Sequence, residues 1–225
     1  MLYWLLKRLI LGPVLHLLFR PSITGKQHIP ADGPVILVSN HLAVADSIFL
    51  PLMVKRRITF VAKREYFTGT GLRGTFIRWF YSGTGQVPID RHGSSEAALD
   101  AAVGILERGG VWGIYPEGTR SPDGRLYKGK TGAMRVAVRT GAPVIPVAMR
   151  GTDTVNPIGS RVWRPGRVSI AVGKPVNVVN FCSSPDDWQG IRVATDAMMA
   201  DLQVLGSQEY VDEYAPRVRT RESAP

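Results

Sequence analysis

Val35-Ile36-Leu37-Val38-Ser39-Asn40-His41-Leu42-Ala43-Val44-Ala45-Asp46-Ser47 changes character partway along: four aliphatic residues run without interruption, then polar groups arrive together. An apolar run of strand length without alternation reads as a strand buried on both faces, the kind found in sheets covered by helices on either side. The polar residues that follow fall where such a strand ends, and strand-end turns are where α/β folds keep their sites. A hydroxyl is a poor nucleophile near neutral pH. An imidazole accepts its proton, and a nearby carboxylate fixes the ring's tautomer and orientation. His41 and Asp46 are suited to those two tasks. On one ideal helix, five steps of about 100° would set them roughly 140° apart, so the pair requires His41 in the turn leaving the strand and Asp46 in the first turn of the next helix. An isolated His-x4-Asp spacing is more often a capping acid near a solvated histidine, with Asn40 or Asp46 as the cap.

The same alternation continues outward. Ile58–Ala62, Val111–Tyr115, Val144–Ala148 and Val168–Val172 are further strand-length apolar runs. Helical patterns lie between them at Leu72–Tyr81, Ser95–Arg108 and Gly132–Thr140, the last with Thr131 as its cap and Gly141 and Pro143 as its stop. Ser184-Pro185-Asp186-Asp187 reads as a helix start with a capping hydroxyl and proline at the first position. Ile191, Ala194, Met198, Leu202 and Leu205 then form a core-facing stripe that ends at Gly206. The fold class is therefore α/β, a mixed central sheet flanked by helices in a single domain. Its expected extent is residues 21–213, after a segment at 1–20 and before a short charged tail at 214–225.

At 225 residues and 44% hydrophobic content, one substantial core is affordable and two are not. The single cysteine, Cys182, excludes an internal disulfide framework and a cysteine-based zinc site. The net charge of +10 points to anionic partners: nucleic acid, lipid head groups or phosphorylated substrates. Its carriers are dispersed, as in Arg161-Arg164-Arg167 and Arg217-Arg219-Arg221, with no zinc-finger, helix-turn-helix or RNA-binding signature, so nucleic acid is not the expected partner.

Residues 1–20 gather Trp4, Leu5, Leu6, Leu9, Ile10, Leu11, Val14, Leu15, Leu17, Leu18 and Phe19 around Lys7 and Arg8. The uncharged stretch from Leu9 to Phe19 falls short of the ~20 residues a spanning helix needs, and Pro13 interrupts it. No small-residue cleavage pattern follows it. An amphipathic segment lying in the head-group region fits instead, peripheral or monotopic, with one face free to pack on the protein's own core.

A second strand-end site follows Val111–Tyr115. In Tyr115-Pro116-Glu117-Gly118-Thr119-Arg120-Ser121, glycine lets backbone approach a ligand, Thr119 and Ser121 offer hydroxyls and Arg120 can grip phosphate in a bidentate fork. Lys128-Gly129-Lys130 lies just beyond.

Taken in order, Asn40-His41 through Asp46, Gly85-Gln86-Val87-Pro88-Ile89-Asp90-Arg91, Tyr115-Pro116-Glu117-Gly118-Thr119-Arg120 and Ala142-Pro143-Val144-Ile145-Pro146-Val147 resemble the four blocks of the glycerolipid acyltransferase family, whose best-known members acylate lysophosphatidic acid. The second block keeps its arginine, Arg91, but lacks the family's usual aromatic. Ala62-Lys63-Arg64-Glu65 is similar to the family's short lysine segment. The resemblance implies that His41 is the general base on the acceptor hydroxyl and that Asp46 orients it. It implies that Lys63, Arg91 and Arg120 hold the acceptor phosphate, in a site shaped by Glu117, Gly118 and Thr119, with Asn40, Lys128 and Lys130 as weaker candidates. The hydroxyl would attack an acyl thioester directly. Hydrogen-bond donors must meet the oxyanion that forms, and removing one typically costs about 2.7–4 kcal/mol. The expected reaction turns 1-acyl-sn-glycerol-3-phosphate into phosphatidic acid, with acyl-CoA preferred over acyl carrier protein as donor and no cofactor or metal. The cytoplasmic face of the membrane is the expected location. Glycerol-3-phosphate or another lysophospholipid is the alternative acceptor, and a non-catalytic basic membrane-binding protein is the distant alternative.

Overall fold

Alternate residues of the run at 35–38 serve opposite faces of one sheet: Ile36 and Val38 pack into one core, Val35 and Leu37 into the other, and all four are fully buried. The computed structural model describes residues 2–63, 65–71, 74–75, 78, 86–89, 95–160, 162–182 and 184–216. Among these, the strands are β1 (Ser22–Thr24), β2 (Val35–Ser39), β3 (Ile58–Lys63), β4 (Val87–Ile89), β5 (Val111–Ile114), β6 (Leu126–Tyr127), β7 (Val144–Arg150), β8 (Ser169–Val172) and β9 (Tyr210–Val211). The main sheet has the order β1-β8-β7-β2-β5-β3-β4, and β6 pairs with β9 in a separate two-stranded ladder. β2 lies at the centre, parallel to both β5 and β7. β8 runs antiparallel to β7 with β1 parallel to β8, which makes the sheet mixed as expected.

The helices are α1 (Leu2–Leu5), α2 (Leu11–Phe19), α3 (Asp46–Met53), α4 (Glu65–Thr68), α5 (Ser95–Glu107), α6 (Gly132–Thr140), α7 (Thr152–Val155) and α8 (Trp188–Gly206). α5, α6 and α8 cover one face, burying Leu99, Leu106, Met134, Ile191, Met198 and Leu202 against Ile36, Val38 and Trp112. α2 and α3 cover the other through Leu15, Phe19, Phe49 and Leu50. Full burial of one such side chain contributes roughly 1.5–3 kcal/mol, so the two cores fix the path of β2 and the point at which it must turn.

Three details depart from the sequence reading. The long helix starts at Trp188, because the Asp187 side chain caps it by accepting from the Gly190 amide at 2.8 Å, and Ser184 and Pro185 belong to the preceding turn. α6 begins after Thr131 as expected, yet the Thr131 side chain makes no capping bond. Its stop does hold, with Gly141 at φ 68°. Pro13 does not end the amino-terminal helix. It sits inside α2, preceded by a π-helical turn at Leu6–Ile10. A Cβ on Gly12 would stand 1.9 Å from the Lys7 carbonyl oxygen, so the wide turn accepts only glycine there. The helix expected at Leu72–Tyr81 and the tail from residue 217 lie outside the described residues, apart from isolated positions of the former.

The amino-terminal segment packs with one face inward. Tyr3, Leu15 and Phe19 are buried, while Leu9, Val14, Leu17 and Leu18 are exposed. The Tyr3 hydroxyl donates to the Pro51 carbonyl at 3.4 Å and the Lys7 ammonium donates to that of Val54. Burial lowers the Lys7 pKa to about 8. Both contacts fasten the segment to the carboxyl end of α3. No helix among the described residues is long and apolar enough to cross a membrane.

Candidate active site

β2 ends at Ser39, and the chain turns through Asn40–Ala45 before α3 begins with Asp46. That turn solves the 140° problem: His41 Nδ1 lies 2.9 Å from Asp46 Oδ2. The same oxygen accepts the backbone amides of Leu42 at 2.7 Å and Ala43 at 2.9 Å. A single carboxylate therefore folds the loop and orients the ring. With Nδ1 committed as donor to Asp46, Nε2 is the ring's remaining acceptor. The His41 side chain keeps 17% exposure and that of Asp46 none. Asp46 Oδ1 is buried without a hydrogen-bond partner among the described residues, a desolvation cost that a plain helix cap on the surface would not carry.

The second strand-end loop completes the setting. The Ser121 amide donates to the His41 carbonyl at 2.7 Å, so residues far apart in sequence meet at backbone level. Glu117, 2% exposed, accepts the His41 amide at 3.1 Å on Oε1 and the Tyr127 amide at 3.0 Å on Oε2. Burial pushes its pKa up to about 7, against the lowering effect of those two amides. Glu117 thus joins the loops at the ends of β2 and β5. Asn40 is equally committed: it exchanges hydrogen bonds with the backbone of Met149 at 2.7 and 3.0 Å and donates to Gln208 Oε1 at 2.7 Å.

Two features are absent from the sequence reading, an aromatic stack on the imidazole and a glutamine bridge. The Tyr115 ring stacks on the His41 imidazole with centroids 3.9 Å apart and planes 10° from parallel, and Phe60 stacks behind Tyr115 at 5.5 Å and 12°. The Tyr115 hydroxyl meets Ser47 Oγ at 2.9 Å, and burial raises its pKa well above the ordinary tyrosine value. Gln208, just past α8, bridges Asn40 to the Gly124 carbonyl at 2.7 Å. Strand-end position signalled Tyr115 as a site residue, but nothing local signals Gln208.

The candidate cations divide. Lys128 pairs with Asp212 at 2.8 Å. Arg120 and Lys130 have no hydrogen bond or ion pair on their side chains among the described residues. Lys130 Nζ lies 2.8 Å from where a Cβ on Gly118 would stand, so the lysine reaches over that turn, and the φ of +75° at Gly118 is what favours glycine there. The Thr119 hydroxyl has no hydrogen-bond partner among the described residues. Lys63 ends β3, but its side chain lies outside the described residues, as does the whole of Arg91. Among the described residues no group of three or more His, Cys, Asp or Glu side chains could hold a metal ion.

The chain that carries this His–Asp pair and these cations has relatives among acyltransferases. It is 33% identical over 163 residues to the chloroplastic 1-acyl-sn-glycerol-3-phosphate acyltransferase LPAT1 of Arabidopsis thaliana, covering 71% of this chain and 44% of that protein. It is 26% identical to the 1-acyl-sn-glycerol-3-phosphate acyltransferase of Bacillus subtilis over 82% of this chain and 87% of that protein. The chain thus spans under half the length of the plant relative. The crystal structure of the 1-acyl-sn-glycerophosphate (LPA) acyltransferase PlsC from Thermotoga maritima superposes with a TM-score of 0.65 at 29% identity, covering 82% of this chain and 71% of that one. The sequence model of the Acyltransferase family matches residues 20–150, more than half of the chain, and on that ground the chain belongs to the acyltransferase family.

Proposed function

We propose that this chain transfers a fatty acyl group from an acyl thioester to the free hydroxyl of 1-acyl-sn-glycerol-3-phosphate, yielding phosphatidic acid. The observation that carries this reading is the 2.9 Å His41–Asp46 contact beside the unpaired Arg120 and Lys130. In the proposed step His41 Nε2 takes the hydroxyl proton as the oxygen bonds to the thioester carbon. The tetrahedral intermediate then collapses, the C–S bond breaks and the imidazolium returns its proton to the thiolate. Asp46 holds the ring and balances its transient charge. Arg120, Lys63 and Arg91 bind the acceptor phosphate, with Lys130 assisting. Gly118 and Thr119 shape that site, and Glu117 and Asn40 hold the loops. Lys128, already paired, is assigned no direct role.

Acyl-CoA is the proposed donor, with no cofactor or metal. Residues 21–213 form the proposed catalytic unit, and residues 1–20 lie in the head-group region of the cytoplasmic membrane face through their exposed apolar row. The purified chain, supplied with acyl-CoA or acyl carrier protein thioester and with lysophosphatidic acid, another lysophospholipid or glycerol-3-phosphate, tests the reading. Mass spectrometry would show preferential formation of phosphatidic acid from acyl-CoA and lysophosphatidic acid. Transfer to glycerol-3-phosphate alone would replace the acceptor, and no transfer to any acceptor would sink the proposal.

A further inference from the structure

Arg164 and Arg167, which the proposed chemistry does not use, stand at the same end of the sheet as His41. β7 runs parallel to β2, and the loop at 156–167 connects α7, which follows β7, to the antiparallel β8. This loop is built. The Arg164 amide donates to the Val155 carbonyl at 2.8 Å, and Ser160 Oγ accepts the Val162 amide at 3.2 Å while donating to the Val162 carbonyl at 2.8 Å. Trp163 turns inward, its ring 5.7 Å from Phe19 at the end of α2 and 5.9 Å from Phe49 on α3. Val162 turns outward and is 72% exposed.

A single exposed valine is ordinary on a protein surface. Here its surroundings are not. The residues before Phe19 in α2 include Val14, Leu17 and Leu18 at 52%, 78% and 49% exposure, so apolar groups stand out on both sides of the Phe19–Trp163 contact. The Val168 amide donates to the Phe19 carbonyl, which brings Arg20 beside Arg167. Arg20, Arg164 and Arg167 are all exposed. From Thr152 to Val168 the chain carries three arginines against one acid, Asp153. Outward apolar side chains ringed by arginine match one partner surface, the head-group region of an anionic bilayer, where guanidinium meets phosphate and the aliphatic groups enter the acyl boundary.

We propose that the loop at 156–167 is a second membrane contact, in which Val162 inserts and Arg164 and Arg167 bind lipid phosphate, so that with α2 it sets how the His41 end of the sheet faces the bilayer. The proposal rests on the membrane-surface reading above, but its test reads binding and needs no turnover.

Cosedimentation of the full chain with vesicles of phosphatidylcholine containing phosphatidylglycerol, and with phosphatidylcholine alone, measures the partition coefficient. Val162→Asp is expected to lower it about fivefold and Val162→Trp to raise it, in proportion to the apolar area that enters the boundary. R164E/R167E is expected to lower it about tenfold or more on the anionic vesicles and little on phosphatidylcholine. Thermal melts of all three should match the unaltered chain. Equal partitioning of the three variants and the unaltered chain would overturn the proposal. So would a loss of binding accompanied by a lowered melt, which would make the loop a structural support. A chain that binds in this pattern yet transfers no acyl group would leave the surface standing and remove the proposed activity.

Discussion

The loop around His41 and the cation rim around Arg120 meet at one backbone hydrogen bond, yet they are built to opposite rules. On the base side Asp46 Oδ2 alone accepts three hydrogen bonds, Glu117 accepts two backbone amides and an aromatic face lies flat on the imidazole. On the rim, Arg120 and Lys130 have no partner side chain among the described residues. A proton acceptor must be held before substrate arrives, since reorganising it during reaction adds to the barrier. An anion site gains by leaving its cations unpaired, because a cation already neutralised must first lose its partner. In the proposed reaction the two regions would divide the work: rigidity where the proton is to move, unspent charge where the phosphate is to bind.

Removing the base side should do the greatest damage. His41→Ala is expected to lower kcat by about 10²–10⁴, with KM for the acceptor little changed. Asp46→Asn should fall about as far, because the ring loses the charge that stabilises its protonated form. Steady-state kinetics with acyl-CoA and lysophosphatidic acid would check both. A large rise in KM with kcat preserved in either variant would break the division. The rim should answer in the other parameter. Arg120→Ala is expected to raise acceptor KM about 10- to 100-fold, from the loss of a charge-assisted contact, while kcat falls far less.

What could be read from the sequence follows from how local the signals are. β2 and β7 are buried on both faces through most of their length, so continuous apolar runs announced them. β1 alternates exposed and partly exposed residues at the sheet edge, and β6 and β9 are two residues each, too short for any period to register. The start of α8 was misread because two capping signals compete within four residues, and the aspartate next to the helix won. At the site, His41, Asp46 and the loop at 115–121 were legible as strand-end residues. The contact between those loops, the Phe60–Tyr115–His41 stack and the Gln208 bridge were not, since each joins segments whose meeting depends on the whole sheet order.

Glu117 tests the base side through stability. Its pKa of about 7 lies above the ordinary value of 4.5 because burial disfavours the charged form. A carboxyl raised on folding binds more protons in the native state, so its contribution is fully present below the unfolded pKa. That contribution is lost as pH rises through about 7. Thermal melts from pH 5 to 8 should show this decline, and Glu117→Gln should flatten it. The amide should also lower stability by about 1–3 kcal/mol overall, because its NH2 group faces one of the two backbone donors. An unchanged pH slope in that variant would show that Glu117 stays ionised and that the loop junction is looser than its geometry.

The smallest effects separate the two lysines of Lys128-Gly129-Lys130. Lys130 has no ion-pair partner and reaches over the Gly118 turn, whereas Lys128 is held by Asp212. Lys130→Ala should therefore raise acceptor KM by about two- to fivefold, the scale of an exposed charge, and lose that effect as ionic strength rises. Lys128→Ala removes a charge that Asp212 already neutralises, so KM should stay within about twofold at any salt. The side-by-side comparison at low and high salt reads pairing itself, because the two residues share charge, size and loop. Equal salt-dependent shifts for both would mean that substrate feels the summed field of the rim rather than its unpaired members, and the contrast between committed and uncommitted charge would have to be redrawn around total charge alone.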